Sequence, residues 1–220
     1  MPGWLKYFWY EVAWFTNFVV LSLFWSFRSQ GWRNIPARGP VLVIANHQSF
    51  FDPVLLGTAS RRHFIFLARK TLFRNRLFRA LIDSYEAVPI DQDGVGKEGI
   101  RRILEQLQKG RAVVVFPEGE RTGDGSMQKL KPGIVLLIKR LHAPIVPVGI
   151  AGAYDAWPRT NVLPRPAPLF LPAKAGSIAV SVSPALDPKR FANLSREKIL
   201  DELFTELQKA ETDAEKLRRK

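Results

Sequence analysis

"VLVIANHQSFFDP", Val41 to Pro53, joins an unbroken apolar run to a polar turn and then to a proline. Val41–Ala45 has the pattern of a short buried strand. Asp52 followed by Pro53 reads as a helix start, with aspartate at the N-cap and proline at the first helical position. A strand, a polar loop at its carboxyl end and a helix make up the repeating unit of α/β proteins, whose sites gather along that edge. On this local grammar Asp52 caps a helix and His47 is a loop residue.

The same alternation extends outward. Further strand candidates are Phe64–Ala68, Glu86–Ile90, Ala112–Phe116, Ile145–Ile150 and Ile178–Ser183. Pro89 and Pro147 mark two of these as edges, ends or bulges, because proline cannot donate to a ladder. Helical patterns begin at Pro53, run through Arg74–Asp83 and Glu98–Gln108, and follow Gly133. A last helix opens at Ser195, a good N-cap, and sets Ile199, Leu200, Leu203, Phe204 and Leu207 on one face. The expected fold is α/β: a mixed, largely parallel sheet flanked by helices. Trp157–Pro172 is proline-rich and reads as an irregular surface excursion.

The chain has 220 residues, enough for one domain with a sizeable core. Its 33 Lys+Arg against 20 Asp+Glu leave a net charge of +13. That excess favours an anionic partner: nucleic acid, a phospholipid surface or a phosphorylated substrate. The absence of cysteine rules out disulfides and thiolate metal sites. His47, His63 and His142 lack ligand spacing, so no metal site is expected.

Residues 1–30 form an apolar, aromatic segment distinct from a domain over residues 31–220. Phe8–Phe27 is twenty residues long, and as a helix it would reach roughly 30 Å. Glu11 and Asn17 interrupt it, and Trp9, Trp14 and Trp25 suit the headgroup level of a bilayer. An interfacial or re-entrant membrane helix, a true span and a core helix all remain open, with membrane association favoured. The basic segment Ser60–Ala80 carries seven Lys and Arg and no acid, which also suits an anionic membrane surface.

Two loops carry residues capable of chemistry. In the first, His47 and Asp52 could form a dyad, the carboxylate fixing the tautomer of an imidazole that accepts a proton. Ser49 is the local alternative, as a nucleophile or a loop hydrogen-bonder. In the second, "VVVFPEGERTGDGS" from Val113 to Ser126, Gly119 permits close backbone approach and Arg121 offers a planar fork for phosphate oxygens. Glu118 would repel phosphate, so it is expected to position Arg121 or to accept a substrate hydroxyl.

In this order, "NHQSFFD" and "FPEGER" resemble the HxxxxD and FPEGxR blocks of the glycerophospholipid acyltransferase family, in particular the 1-acylglycerol-3-phosphate acyltransferases. "LARKTLF", "VPID" at Val88–Asp91 and "PIVPVGI" from Pro144 follow the family's order too, so the similarity covers roughly Gly31 to Ala151. The resemblance implies that His47 is the general base and Asp52 its partner. It places the acceptor's phosphate near Glu118, Gly119 and Arg121, with Lys70 as a further contributor; Ser49 is a separate substrate-binding candidate. Gln92 departs from the arginine that the family often has after "VPID".

The expected reaction moves an acyl group from acyl-CoA or acyl carrier protein, with no cofactor, to the free hydroxyl of 1-acylglycerol-3-phosphate or another lysolipid. The expected partners are these substrates and a phospholipid membrane surface, on its cytoplasmic face, and no nucleic acid. A non-catalytic basic membrane-binding module is the alternative of a different class; it has no need of His47 or Asp52.

Overall fold

Val41–Ala45 is a strand whose five residues are all buried, and the rest of the sheet is laid out around it. A computed structural model describes residues 3–69, 88–90 and 97–219. In chain order the elements are α1 (Gly3–Trp25), β1 (Arg28–Gln30), β2 (Val41–Ala45), α2 (Asp52–Ala59), β3 (Phe64–Arg69), β4 (Val88–Ile90), α3 (Lys97–Gln108), β5 (Ala112–Val115), α4 (Gly133–Ile138), β6 (Ile145–Ala151), α5 (Ala153–Ala156), β7 (Ala179–Val182) and α6 (Arg196–Leu217). The strands pair in the order β1-β7-β6-β2-β5-β3-β4. Every described pairing is parallel except β6 with β7, so the sheet is mixed and largely parallel.

Strand alternation sends successive side chains to opposite faces, and each face has its own core. Val41, Val43 and Ala45 meet Leu21 of α1 and Leu55 and Leu56 of α2. Leu42 and Ile44 meet Ile103, Ile134, Leu137, Leu203 and Leu207 of α3, α4 and α6. Burying each such side chain stabilises the fold by about 1.5–3 kcal/mol.

The tightest layer contact is α6 on β6, and Gly149 allows it. A Cβ built there would lie 2.1 Å from the main chain of Ala210. With Ala210 and Ala214 also wholly buried, helix and strand backbones approach closely, as small residues permit. Ser195 caps this helix by accepting from Lys198 N, as its residue type predicts.

The structure departs from the sequence reading in several places. The sequence places Arg28–Gln30 in the N-terminal segment, whereas in the structure it pairs with β7 as an edge strand of the sheet. Its alternating exposed pattern leaves no apolar run to reveal it. The four-residue α5 gives too short a pattern to detect. Pro89 lies in the terminal strand β4, as expected of an edge, whereas Pro147 lies inside β6, between β7 and β2.

Pro147 is tolerated there for a geometric reason. Its carbonyl accepts from Ser183 N on the β7 side. A strand residue's N and C=O point the same way, so its missing N–H faces the point where the β7 ladder ends. The predicted helix at 74–83, together with Lys70 and Gln92, lies outside the described residues.

Helix α1 packs on α2, and Trp14 Nε1 donates to Thr58 O at 3.0 Å. No described helix is long and apolar enough to cross a membrane. Trp157–Pro172 is irregular apart from turns, as its prolines predict.

Candidate active site

The parallel register Ile44↔Val115 sets the carboxyl ends of β2 and β5 side by side. The loops that follow them, Asn46–Phe51 and Phe116–Lys131, therefore rise together. They are joined through one residue. His47 N donates to Glu118 Oε1 at 2.6 Å, and Thr122 N donates to His47 O at 2.9 Å. Both main-chain polar groups of His47 are thus held by the second loop.

The His47 ring is held just as tightly. Its Nδ1 lies 2.7 Å from Asp52 Oδ2, and the ring stacks on Phe116 with centroids 4.1 Å apart. Beside a carboxylate Nδ1 carries the proton, which leaves Nε2 as the acceptor. Nε2 has no protein partner among the described residues, and the side chain is 19% exposed.

Asp52 does not cap α2, contrary to its sequence context. Phe51 occupies the N-cap without a side-chain bond, and Asp52 is the first helical residue. Its Oδ2 instead accepts from Gln48 N at 2.6 Å and Ser49 N at 2.9 Å as well as from His47. The 46–51 loop folds back over its own helix start, and the carboxylate gathers three donors onto one oxygen. Oδ1 is buried without a partner among the described residues.

Glu118 is 1% exposed, and its second oxygen accepts from Gln128 N at 2.6 Å. Both oxygens thus sit on main-chain N–H groups rather than on Arg121 or toward a substrate, which corrects the expectation from sequence. Burial pushes its carboxyl up to about 7, against the opposing pull of the two N–H bonds.

Ser49 is also corrected. It is wholly buried, and its hydroxyl donates to Trp157 O at 2.8 Å. This geometry gives it a loop-fastening part and presents nothing to a substrate.

Arg121 lies over the Phe50 ring, its guanidinium carbon 3.5 Å from the centroid. Gly119 takes a φ of +79°, where a side chain would be strained, and a Cβ there would meet Lys131 Cγ at 3.1 Å. Arg159 approaches the loop at Gly123, where a Cβ would lie 3.7 Å from its guanidinium. Arg121, Lys131 and Arg159 thus lie around the second loop, where Lys131 Nζ is 3.8 Å from Glu120 Oε1. Sequence reading missed Lys131 and Arg159, which lie outside the motif blocks.

It also missed the support beneath the first loop. The Asn46 side chain donates to Ile150 O at 2.9 Å and accepts from Ile150 N at 2.7 Å, extending the β2–β6 ladder. Asn46 and Gln48 each donate to Glu211 Oε1 at 3.1 Å. Burial raises the Glu211 carboxyl above its ordinary range. A cleft of about 510 Å³ opens beyond Gln48, lined by Asp124, Asp155, Glu211 and Glu215 against Lys216 and Arg218. Its excess of acids disfavours a phosphate there. Among the described residues no group of three or more His, Asp or Glu could hold a metal ion.

The chain is similar to proteins already known. The family model described as Acyltransferase matches residues 26–151, more than half of the chain. The chain is 29% identical over 135 residues to the 1-acyl-sn-glycerol-3-phosphate acyltransferase of Bacillus subtilis, covering 61% of this chain and 67% of that protein. It is 33% identical over 113 residues to the protein of the same name from Streptococcus pneumoniae, covering 50% of this chain but 41% of that one. The crystal structure of the 1-acyl-sn-glycerophosphate acyltransferase PlsC from Thermotoga maritima shares the fold, with a TM-score of 0.74 over 94% of this chain and 79% of that one at 24% identity. With a family match that spans both polar loops, the chain belongs to the acyltransferase family.

Proposed function

We propose that this acyltransferase moves an acyl group from a thioester, acyl-CoA or acyl carrier protein, to the free hydroxyl of 1-acylglycerol-3-phosphate. The observation that carries this reading is the 2.7 Å contact of His47 Nδ1 with Asp52 Oδ2, which leaves Nε2 as the ring nitrogen without a protein partner among the described residues. Nε2 takes the proton of the acceptor hydroxyl as that oxygen attacks the thioester carbonyl. The C–O bond forms, the C–S bond breaks, and the imidazolium returns its proton to the departing thiolate. Asp52 stabilises the imidazolium while it lasts. General-base help of this kind contributes about 10²–10⁴ in rate.

The acceptor's phosphate is assigned to the Arg121 side of the second loop. There the guanidinium is braced by Phe50, Gly119 makes the turn on which Lys131 packs, and Lys131 and Arg159 add positive charge. Fixing the phosphate fixes the hydroxyl relative to Nε2, which lowers the barrier by removing the entropy of the encounter. The substrates are amphiphiles, so a membrane surface is the assigned workplace, with α1 lying in it. The names of the Bacillus and Streptococcus relatives support this choice of acceptor.

The test is thiol release with one acyl-CoA and one acyl carrier protein donor, each offered a panel of lysolipids. Release should require an acceptor, favour 1-acylglycerol-3-phosphate, and disappear in His47→Ala while the protein keeps its circular dichroism spectrum. Near wild-type turnover in His47→Ala would sink the dyad. A stable acyl adduct on intact protein given donor alone, lost in Ser49→Ala, would replace direct transfer by an acyl-enzyme.

A further inference from the structure

We infer that the proline-rich loop Val162–Leu171 is a second membrane-inserting element, continuous with α1 and docking on the surface of an anionic phospholipid bilayer. Helix α1 is apolar on both of its sides. Its inward side carries Tyr10, Trp14, Leu21 and Trp25, with Tyr10 and Trp14 donating to Arg62 O and Thr58 O. Its outward side exposes Phe8, Trp9, Val12, Phe15, Phe18, Val20, Leu23 and Phe24. A helix facing water carries polar residues on its outward side, and a contiguous exposed apolar surface of this kind marks an interaction site.

The loop extends that surface. Val162, Leu163 and Phe170 are 89%, 75% and 74% exposed, and Leu169 and Leu171 are a little under half exposed. Main-chain bonds tie the loop to the end of α1: Ala167 N donates to Phe24 O at 2.8 Å and Leu169 N to Leu23 O at 3.0 Å.

Backbone hydrogen bonding argues for a lipid occupant. A loop can enter an apolar layer only where its polar backbone groups are satisfied by the protein. Here Pro164, Pro166 and Pro168 have no N–H to satisfy, and those of Arg165, Ala167, Leu169 and Leu171 have main-chain acceptors, whereas Val162, Leu163 and Phe170, whose N–H groups find no main-chain acceptor among the described residues, insert by their side chains at headgroup depth. The carbonyls of Arg165 and Ala167 accept from Trp25 Nε1 and Ser26 Oγ. Arg219 fastens the carbonyls of Pro168, Leu169 and Leu171 from beneath.

Charge selects anionic lipid. Between Asp155 and Asp187 the chain has no acid but holds Arg159, Arg165 and Lys174, all exposed. Basic groups beside an inserting apolar surface add attraction to anionic headgroups.

The chain contains no cysteine, so single-cysteine probes are clean. Phe170→Cys and Leu163→Cys would carry a polarity-sensitive NBD label, with Thr205→Cys on α6 as the control. Phosphatidylcholine–phosphatidylglycerol vesicles should shift the emission of the first two labels to the blue and expose them to quenching by doxyl lipid, leaving position 205 unmoved. Leu163→Asp with Phe170→Asp should lower partitioning onto these vesicles by about tenfold or more. The inference fails if the protein co-sediments with vesicles while labels at 163 and 170 stay unshifted, or if it does not bind vesicles at all. It fails equally if the shift appears without lipid on raising protein concentration, since a second copy would then cover the loop. None of these readings requires acyl transfer, so the outcome is independent of the proposed chemistry.

Discussion

Glu118 Oε1 lies 2.6 Å from the main-chain nitrogen of His47. The carboxylate of one loop thus sets the height of the histidine on the other, and its second oxygen does the same for Gln128. A histidine at a loop apex would otherwise depend on its own turn alone.

Glu118→Gln keeps the size of the side chain but has one oxygen for two N–H donors, so one contact is lost. The expected outcome is a fall in kcat of about ten- to a hundredfold, because small displacements of a reacting group are costly. KM for the acceptor should change far less. Steady-state kinetics that show a large KM effect with kcat unchanged would assign Glu118 to substrate binding instead.

The same carboxyl predicts a pH signature. Its folded pKa is raised to about 7, above the ordinary carboxylate value, so the folded state binds more protons than the unfolded state between these limits. Its contribution to stability is therefore full at low pH and is lost as pH rises from about 4.5 through 7. Melting temperatures of wild type and Glu118→Gln from pH 5 to 8 should converge or cross in the variant's favour as pH rises. A constant difference would mean that Glu118 is ionised throughout.

Asp52→Asn leaves one oxygen to accept from His47, Gln48 and Ser49, but removes the charge that stabilises the imidazolium. Turnover should fall by about 10²–10⁴. The new amide would occupy the place of the buried, unpartnered Oδ1. That costs about 1–3 kcal/mol of stability, measurable by urea denaturation. A stable and fully active Asp52→Asn enzyme would contradict the dyad.

Arg121 is assigned to phosphate binding from its place over Phe50. Arg121→Lys retains the charge but not the planar fork or the stacking, so it should raise KM for 1-acylglycerol-3-phosphate with a smaller change in kcat. Comparison with a lysolipid lacking the phosphomonoester should show a smaller penalty. Equal penalties on both acceptors would place the phosphate elsewhere.

Gly149→Ala should push α6 from the sheet, since the new methyl would overlap the main chain of Ala210. Overpacking of this kind costs about 1–3 kcal/mol or more. Because Glu211 follows Ala210 and holds Asn46 and Gln48, activity should fall together with the melting temperature.

Much of this molecule is readable from local pattern. The continuous apolar runs at Val41–Ala45 and Ala112–Val115 identify buried parallel strands because only such strands lack a polar face. Ser195 announces its helix because a cap is a contact within one turn. Two polar loops after two apolar strands point to a site, and their motif order points to a family. Arg28–Gln30 and Ala153–Ala156 stay hidden because three or four residues have no measurable period.

The sequence by itself determined the α/β class, the pairing of His47 with Asp52 as candidates, and an aromatic N-terminus unlike that of a water-facing helix. These depend on periodicity, residue chemistry and short spacing, all of which are local. The tertiary structure decided what those residues touch. It moved Asp52 from a helix cap to a three-donor acceptor, turned Glu118 from a substrate contact into the brace of His47, and closed Ser49 off from solvent. It brought Glu211 beneath Asn46 and joined the loop at Val162–Leu171 to α1. Each of these rests on contacts between segments far apart in the chain, and those contacts are set by how the layers pack.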